Sequence, residues 1–129
     1  MFDAAELWRF LPLGYALSVL LETPVLVVGL SKRHPLARRM FAGFWLTAGT
    51  YPIVVLVLPL VIEPYWAYLL TAEIFAPLAE CGMFAAAFWN LKDFKTNRRD
   101  FGQDMLTIVA ANVCSFVIGG AILYFAAVS

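Results

Sequence analysis

Residues 11–30 read LPLGYALSVLLETPVLVVGL, with Glu22 as the one charged side chain. A helix that crosses a bilayer needs about 20 predominantly apolar residues, so this run is long enough to span a membrane. An unpaired backbone N–H or C=O in hydrocarbon is costly, and a crossing segment of this length is therefore expected to be helical.

Three further apolar runs follow, at about 40–60, 66–89 and 105–126. Of the 129 residues, 63% are hydrophobic and 14% are charged, whereas soluble domains have roughly 45–50% apolar and about 25% charged residues. This composition excludes a cytosolic globular domain, a disordered tail and a nucleic-acid-binding module. We predict an all-α fold, a four-helix transmembrane bundle with up-down-up-down topology, that forms a single integral membrane domain over residues 1–129.

The charges are balanced in number but not in position. There are nine basic and nine acidic residues, and eight of the basic ones fall in two short stretches, Lys32, Arg33, Arg38 and Arg39, then Lys92, Lys95, Arg98 and Arg99. Basic residues in short loops stay on the cytoplasmic side. We therefore expect loops 31–39 and 90–104 inside, both termini outside, and a location in the inner (cell) membrane of a bacterium. Membrane lipid is an expected partner and nucleic acid is not.

The two halves of the chain show a weak internal repeat. Glu22 aligns with Glu80, and Thr47 in the returning span aligns with Asn112. The two spacings are 25 and 32 residues, and the longer second loop accommodates the difference. The pattern indicates two repeated helical hairpins in the same membrane orientation, although any two helical hairpins can be aligned somewhere.

Three glutamates, Glu22, Glu73 and Glu80, lie inside predicted spans. A charge at the centre of a membrane helix costs roughly 2.5–3.5 kcal/mol on insertion scales, and no Lys, Arg or His lies in a predicted span to offset it. We therefore expect at least one of the three to be protonated at pH 7 or neutralised by a bound cation. They are the candidate proton- or cation-binding residues.

Four neutral polar residues share the depth of these acids. Glu22 lies eight residues before Leu30, and Glu80 lies nine residues before Trp89. The neutral residues lie seven or ten positions after the start of their predicted spans. They are Thr47, Thr50, Asn112 and Ser115. With a rise of about 1.5 Å per residue, all six groups fall in one layer. We predict that the four are supporting ligands of the same site. The alternative is that they form ordinary hydrogen bonds between helices.

The leading functional hypothesis is a small proton- or cation-linked transporter or channel. Because one bundle of this size encloses little volume, we expect a homo-oligomer. The alternative is a non-catalytic subunit or assembly factor of a larger membrane complex, and an enzyme is less favoured but open. No cofactor is expected, because His34 is the only histidine and no C-x-x-C motif is present. Whether a metal binds stays open: Glu80, Cys81 and Cys114 could hold a soft metal, but two small packing cysteines are favoured.

Overall fold

The structure, a computed structural model, describes the backbone of residues 4–128 and the side chains in that range except those of residues 4–8, 10–11, 65, 123–124 and 126–128. The described part is all-helical. Its elements are α1 (Ala4–Gly29), α2 (Leu36–Pro52), a π-helical turn (Ile53–Val57), α3 (Leu58–Val61), α4 (Tyr65–Phe88), α5 (Leu91–Thr96) and α6 (Arg98–Val128).

Four helices are long and apolar enough to cross a membrane, which supports an integral membrane protein. The apolar segments are Pro12–Gly29, Leu36–Val61, Trp66–Phe88 and Arg98–Ile122. The second combines α2, the π-helical turn and α3. The four long helices form a closed ring, because α1 contacts α2 and α6, and α4 contacts the same two helices. The interior of this ring is where the site lies.

Two of the long helices begin before the spans expected from the sequence. The second long helix begins at Leu36 rather than residue 40, and α6 begins at Arg98 rather than residue 105. Arg39 lies in the first turn of α2, and its guanidinium donates to the Val27 carbonyl at 2.6 Å. The predicted loop 90–104 is mostly helical, since Asn90 caps α5 by accepting a hydrogen bond from the Asp93 N–H at 2.7 Å. Charged residues in these segments are therefore parts of helix ends rather than of open loops.

Close helix contacts depend on small residues. A Cβ placed on Gly43 would collide with the Thr23 side chain of α1, and one placed on Gly29 would lie 2.6 Å from a Thr107 methyl group of α6. Lipid tails give helices little hydrophobic reason to associate, so close packing of this kind supplies much of the attraction between membrane helices.

Gly43→Ala is expected to destabilise the bundle by about 1–3 kcal/mol, because the added methyl group forces Thr23 and α1 to move. The matched control is Gly82→Ala in α4, where an added Cβ meets nothing within 4 Å. That control should be neutral or more stable by about 0.5–1 kcal/mol, since alanine is the better helix former. Unfolding in mixed micelles titrated with dodecyl sulfate measures both, and equal stability of the two variants would contradict the packing argument.

The buried core lies at the end of the bundle that carries residues 31–35 and 89–97, called the loop end below. It consists of Leu26, Leu30, Ala42, Leu46, Phe84, Trp89, Ile108 and Ala111. The opposite end, called the turn end, carries residues 62–64 between α3 and α4. The core seals one half of the ring, and the other half contains a cavity.

Candidate functional site

A cavity of about 590 Å³ lies among all four long helices. The structure brings together around it all seven residues selected from the sequence, Glu22, Thr47, Thr50, Glu73, Glu80, Asn112 and Ser115. Constant helical rise brings Glu22 and Glu80 to one depth, because they lie seven and eight residues before the ends of α1 and α4.

The deepest part of the cavity, its floor, contains two buried carboxyl groups from different helices. Glu22 of α1 is 4% exposed and Glu80 of α4 is 2% exposed. The Thr50 hydroxyl of α2 donates to Glu80 Oε2 at 3.0 Å. Asn112 and Ser115 of α6 line the same cavity. Each of the four long helices thus contributes to this layer.

One carboxyl oxygen of the floor lacks a hydrogen bond from any described residue. Glu22 Oε1 is buried and has no hydrogen-bond partner among the described residues. The described residues that line the cavity include three carboxyl groups but no Lys, Arg or His. Burying an unpaired charge costs several kcal/mol, so the pair needs a proton, a cation or both to be stable there. The floor therefore contains two buried carboxyl groups, one of them with an unpartnered oxygen, and no basic residue among its described lining.

Glu73 lies in the same cavity but apart from the floor. It precedes Glu80 by seven residues on α4, which places it about 10 Å nearer the turn end, and it is half-buried. Tyr51 and Tyr68 line this upper part of the cavity with it. The cavity therefore has two acidic levels, a deep one at the floor and a shallower one toward the turn end.

The π-helical turn shapes the wall of the upper part. The Leu58 N–H bonds to the Ile53 carbonyl, five residues back, and Pro59 has no N–H. The Val54 carbonyl consequently lacks its usual helical donor, and the Tyr68 hydroxyl donates to it at 3.0 Å. Single π-helical turns are frequent at functional sites because they expose backbone groups in this way.

The supporting polar residues do not all act on the acids. The Thr47 hydroxyl donates to the Gly43 carbonyl at 2.9 Å, and the Asn112 amide donates to the Ile108 carbonyl at 2.9 Å. Both bonds stay within one helix. Thr50 bonds to the Leu46 carbonyl at 3.2 Å as well as to Glu80. Thr50 is thus the neutral residue with the clearest contact to a carboxyl group.

Sequence reasoning missed a second buried polar group, the loop-end network of Ser31, His34, Trp89 and Asp104. Asp104 accepts three hydrogen bonds: from the Ser31 N–H at 2.7 Å, from His34 Nε2 at 2.8 Å and from the Trp89 indole N–H at 3.0 Å. Both His34 and Asp104 are fully buried. The network ties the segment between α1 and α2 to α4 and α6, and so closes the loop end below the cavity.

The proton positions in this network follow from its partners. Arg38 Nη1 lies 3.3 Å from His34 Nδ1, and a guanidinium can only donate. His34 Nδ1 is therefore the acceptor and Nε2 carries the proton that is donated to Asp104. Near it, Arg33 pairs with Asp93 at 3.1 Å and stacks 4.0 Å above the Trp89 ring. No signal in the local sequence indicated these contacts, which join residues up to 73 positions apart.

The cysteines have separate surroundings. The Cys81 thiol donates to the Met105 carbonyl at 3.7 Å, and Cys114 is half-buried and free. Within the part of the chain that the structure describes, no group of three or more His, Cys, Asp or Glu residues is arranged to hold a metal ion. The geometry therefore gives no support to a soft-metal site.

Comparison with known proteins identifies no family for this chain. No family model, no curated protein and no solved structure matches the chain.

Proposed function

We propose that the protein is a small membrane transporter or channel that binds a proton or a cation between Glu22 and Glu80. The observation that carries the proposal is the pair of buried carboxyl groups, Glu22 and Glu80, in the lining of one cavity, with one Glu22 oxygen unpartnered and no basic residue among the described lining. Glu73 serves as a shallower acidic group on the path between the floor and the turn end.

A proton and a cation can replace each other at the same carboxyl pair. A proton and a cation compete for these oxygens, because a protonated carboxyl group has no negative charge to offer. Cation binding should therefore release protons and weaken as the pH falls. Access is proposed from the turn end, because the buried core and the loop-end network lie below the floor. Transport requires a second conformation in which the loop end opens.

The order of the helices and their orientation in the membrane are part of the same proposal. We propose an up-down-up-down bundle of two repeated hairpins, with both basic loops cytoplasmic, both termini outside, and the inner membrane of a bacterium as its location. Direct contacts between the two basic segments, such as the Arg33–Asp93 pair, support their location on one side. In this orientation the cavity faces outward from the cell.

The oligomeric state is a separate part of the proposal. The site is complete within one chain, which by itself encloses about 590 Å³. Each chain should therefore bind its own cation, whether or not the protein forms a homodimer or a larger homo-oligomer. The sequence led us to expect an oligomer because one bundle encloses little volume. Binding does not require an oligomer, because one chain contains the whole cavity.

The alternative role, a subunit or assembly factor, would use the polar residues for contacts with another chain. Against it stands the position of these residues, which line an internal cavity of one chain rather than an outer face. A native pull-down with mass spectrometry distinguishes the two roles. Stoichiometric recovery of partner subunits, together with an absence of activity in the isolated protein, would favour the subunit.

Flux through purified protein in lipid vesicles tests the proposal directly. Vesicles that contain a pH-sensitive dye are given an inward gradient of sodium, potassium or an organic cation. We expect a protein-dependent efflux of protons that disappears when Glu22 and Glu80 are both replaced by Gln. If no cation drives protein-dependent proton movement, or if the double variant moves protons as fast as the original protein, the proposal is wrong.

A further inference from the structure

The size of the cavity bears on what kind of cation it holds. Magnesium and calcium are bound by six to eight oxygen atoms at about 2.0–2.6 Å, in a shell that the ion fills. No group of three or more His, Cys, Asp or Glu among the described residues could hold a metal ion, and about 590 Å³ is far more room than a bare ion needs. Cavities of roughly 300–1,000 Å³ with a few well-placed polar groups are typical of sites for small organic molecules.

The walls above the floor are mostly apolar. Their members come from all four long helices and include Leu17, Leu21, Val54, Leu69, Ala72 and Phe116. Three aromatic rings stand among them, those of Tyr51, Tyr68 and Phe116. Aromatic faces attract organic cations through cation–π interactions, most strongly where water is excluded. The cavity thus combines an anionic floor with a wall suited to an apolar body.

We propose that the cavity binds an organic ammonium ion, with its nitrogen between Glu22 and Glu80 and its apolar body directed toward Tyr51, Tyr68 and the turn end. This inference rests on the proposed function and names its substrate class. A primary ammonium group has three N–H donors. One can bond to the Glu22 carboxyl group and another to that of Glu80, since both side chains line the cavity, while the third is available to a neutral oxygen of the floor.

Other classes of ligand fit the site less well. An anion would meet three carboxyl groups without a basic residue among the described lining. A neutral apolar molecule would fill the walls but would leave Glu22 Oε1 without a partner. An organic ammonium ion satisfies the charge of the floor and the apolar walls together.

Binding of 2-phenylethylamine to the purified protein, measured by calorimetry in lipid nanodiscs at two pH values, tests the inference. Its near-isostere 2-phenylethanol carries no charge and serves as the ligand control. We expect the amine to bind about tenfold or more tightly than the alcohol, with proton release, and to lose about tenfold or more in affinity in Glu22→Gln and Glu80→Gln. Glu63→Gln, an exposed acid outside the cavity, should bind it unchanged.

A variant that fills the cavity separates this inference from the proposed function. Ala72→Phe places a ring inside the cavity, and Ala86→Phe places the same ring on an exposed position of α4. We expect only Ala72→Phe to lose the amine, while glutamate-dependent movement of protons persists. Glutamate-dependent flux of inorganic cations or protons without any amine binding would overturn the organic substrate and leave the proposed function standing. Equal binding of amine and alcohol, unaffected by the glutamine variants, would overturn the charge-based inference.

Discussion

Glu80→Gln and Glu22→Gln are each expected to reduce cation-linked proton flux by about tenfold or more. A hydrogen bond to a charged partner contributes about 1.5–3 kcal/mol, and each variant removes one of the two carboxyl groups at the floor. Glutamine preserves the shape of the side chain, and an amide can still accept the hydrogen bond that Thr50 donates to Glu80. The loss is therefore expected in flux and in proton release on cation binding, not in folding.

The two variants should not behave alike in stability. Glu80 already has a donor in Thr50, whereas Glu22 Oε1 is unpartnered. Glutamine at position 22 replaces a buried carboxyl group that no described basic residue neutralises, so Glu22→Gln should be at least as stable as the original protein in micelles. Glu63→Gln, exposed at the turn end, controls for a general loss of negative charge. Unchanged proton-linked flux in both floor variants would remove the carboxyl pair from the mechanism.

The depth of the polar layer was predictable because it depends only on counting. Every helix rises by the same amount per residue, so residues such as Glu22 and Glu80, at matched distances from their helix ends, come to one level. Which atoms pair at that level was not predictable. Thr47 and Thr50 differ by three positions, yet Thr47 donates to its own helix while Thr50 also reaches Glu80. Rotamers and helix tilt decide such contacts, and a single sequence does not specify them.

The loop-end network, in contrast to the depth of the polar layer, could not be predicted from the sequence. Asp104 falls in a stretch with several charged neighbours, and His34 lies between basic residues, so both read as solvated loop residues. The structure buries them because Trp89 and the Ser31 backbone come to the same point as Asp104. These contacts join residues 15 to 73 positions apart. Periodicity and charge counts carry no information about pairings at such separations.

Asp104→Ala is expected to cost about 3–5 kcal/mol of stability, the range found when one partner of a buried polar pair is removed. The substitution leaves three buried donors without an acceptor, the N–H groups of Ser31, His34 and Trp89. Unfolding by dodecyl sulfate in mixed micelles measures the loss. Asp93→Ala is the matched control, because the Arg33–Asp93 pair is partly exposed, with side chains 24% and 36% accessible, and such pairs contribute about 0–1 kcal/mol.

Asp104→Asn separates the hydrogen bonds from the space that alanine would empty. Asp104 Oδ2 accepts from His34 and Trp89, and Oδ1 accepts from the Ser31 N–H. An asparagine oxygen can replace only one of these atoms, so its amide group must face at least one donor, and the expected cost is about 1–3 kcal/mol. A cost near zero for asparagine with a large cost for alanine would assign Asp104 to packing alone. If instead asparagine is clearly destabilising while Asp93→Asn is not, the hydrogen bonds of this carboxylate are what hold the loop end closed beneath the cavity.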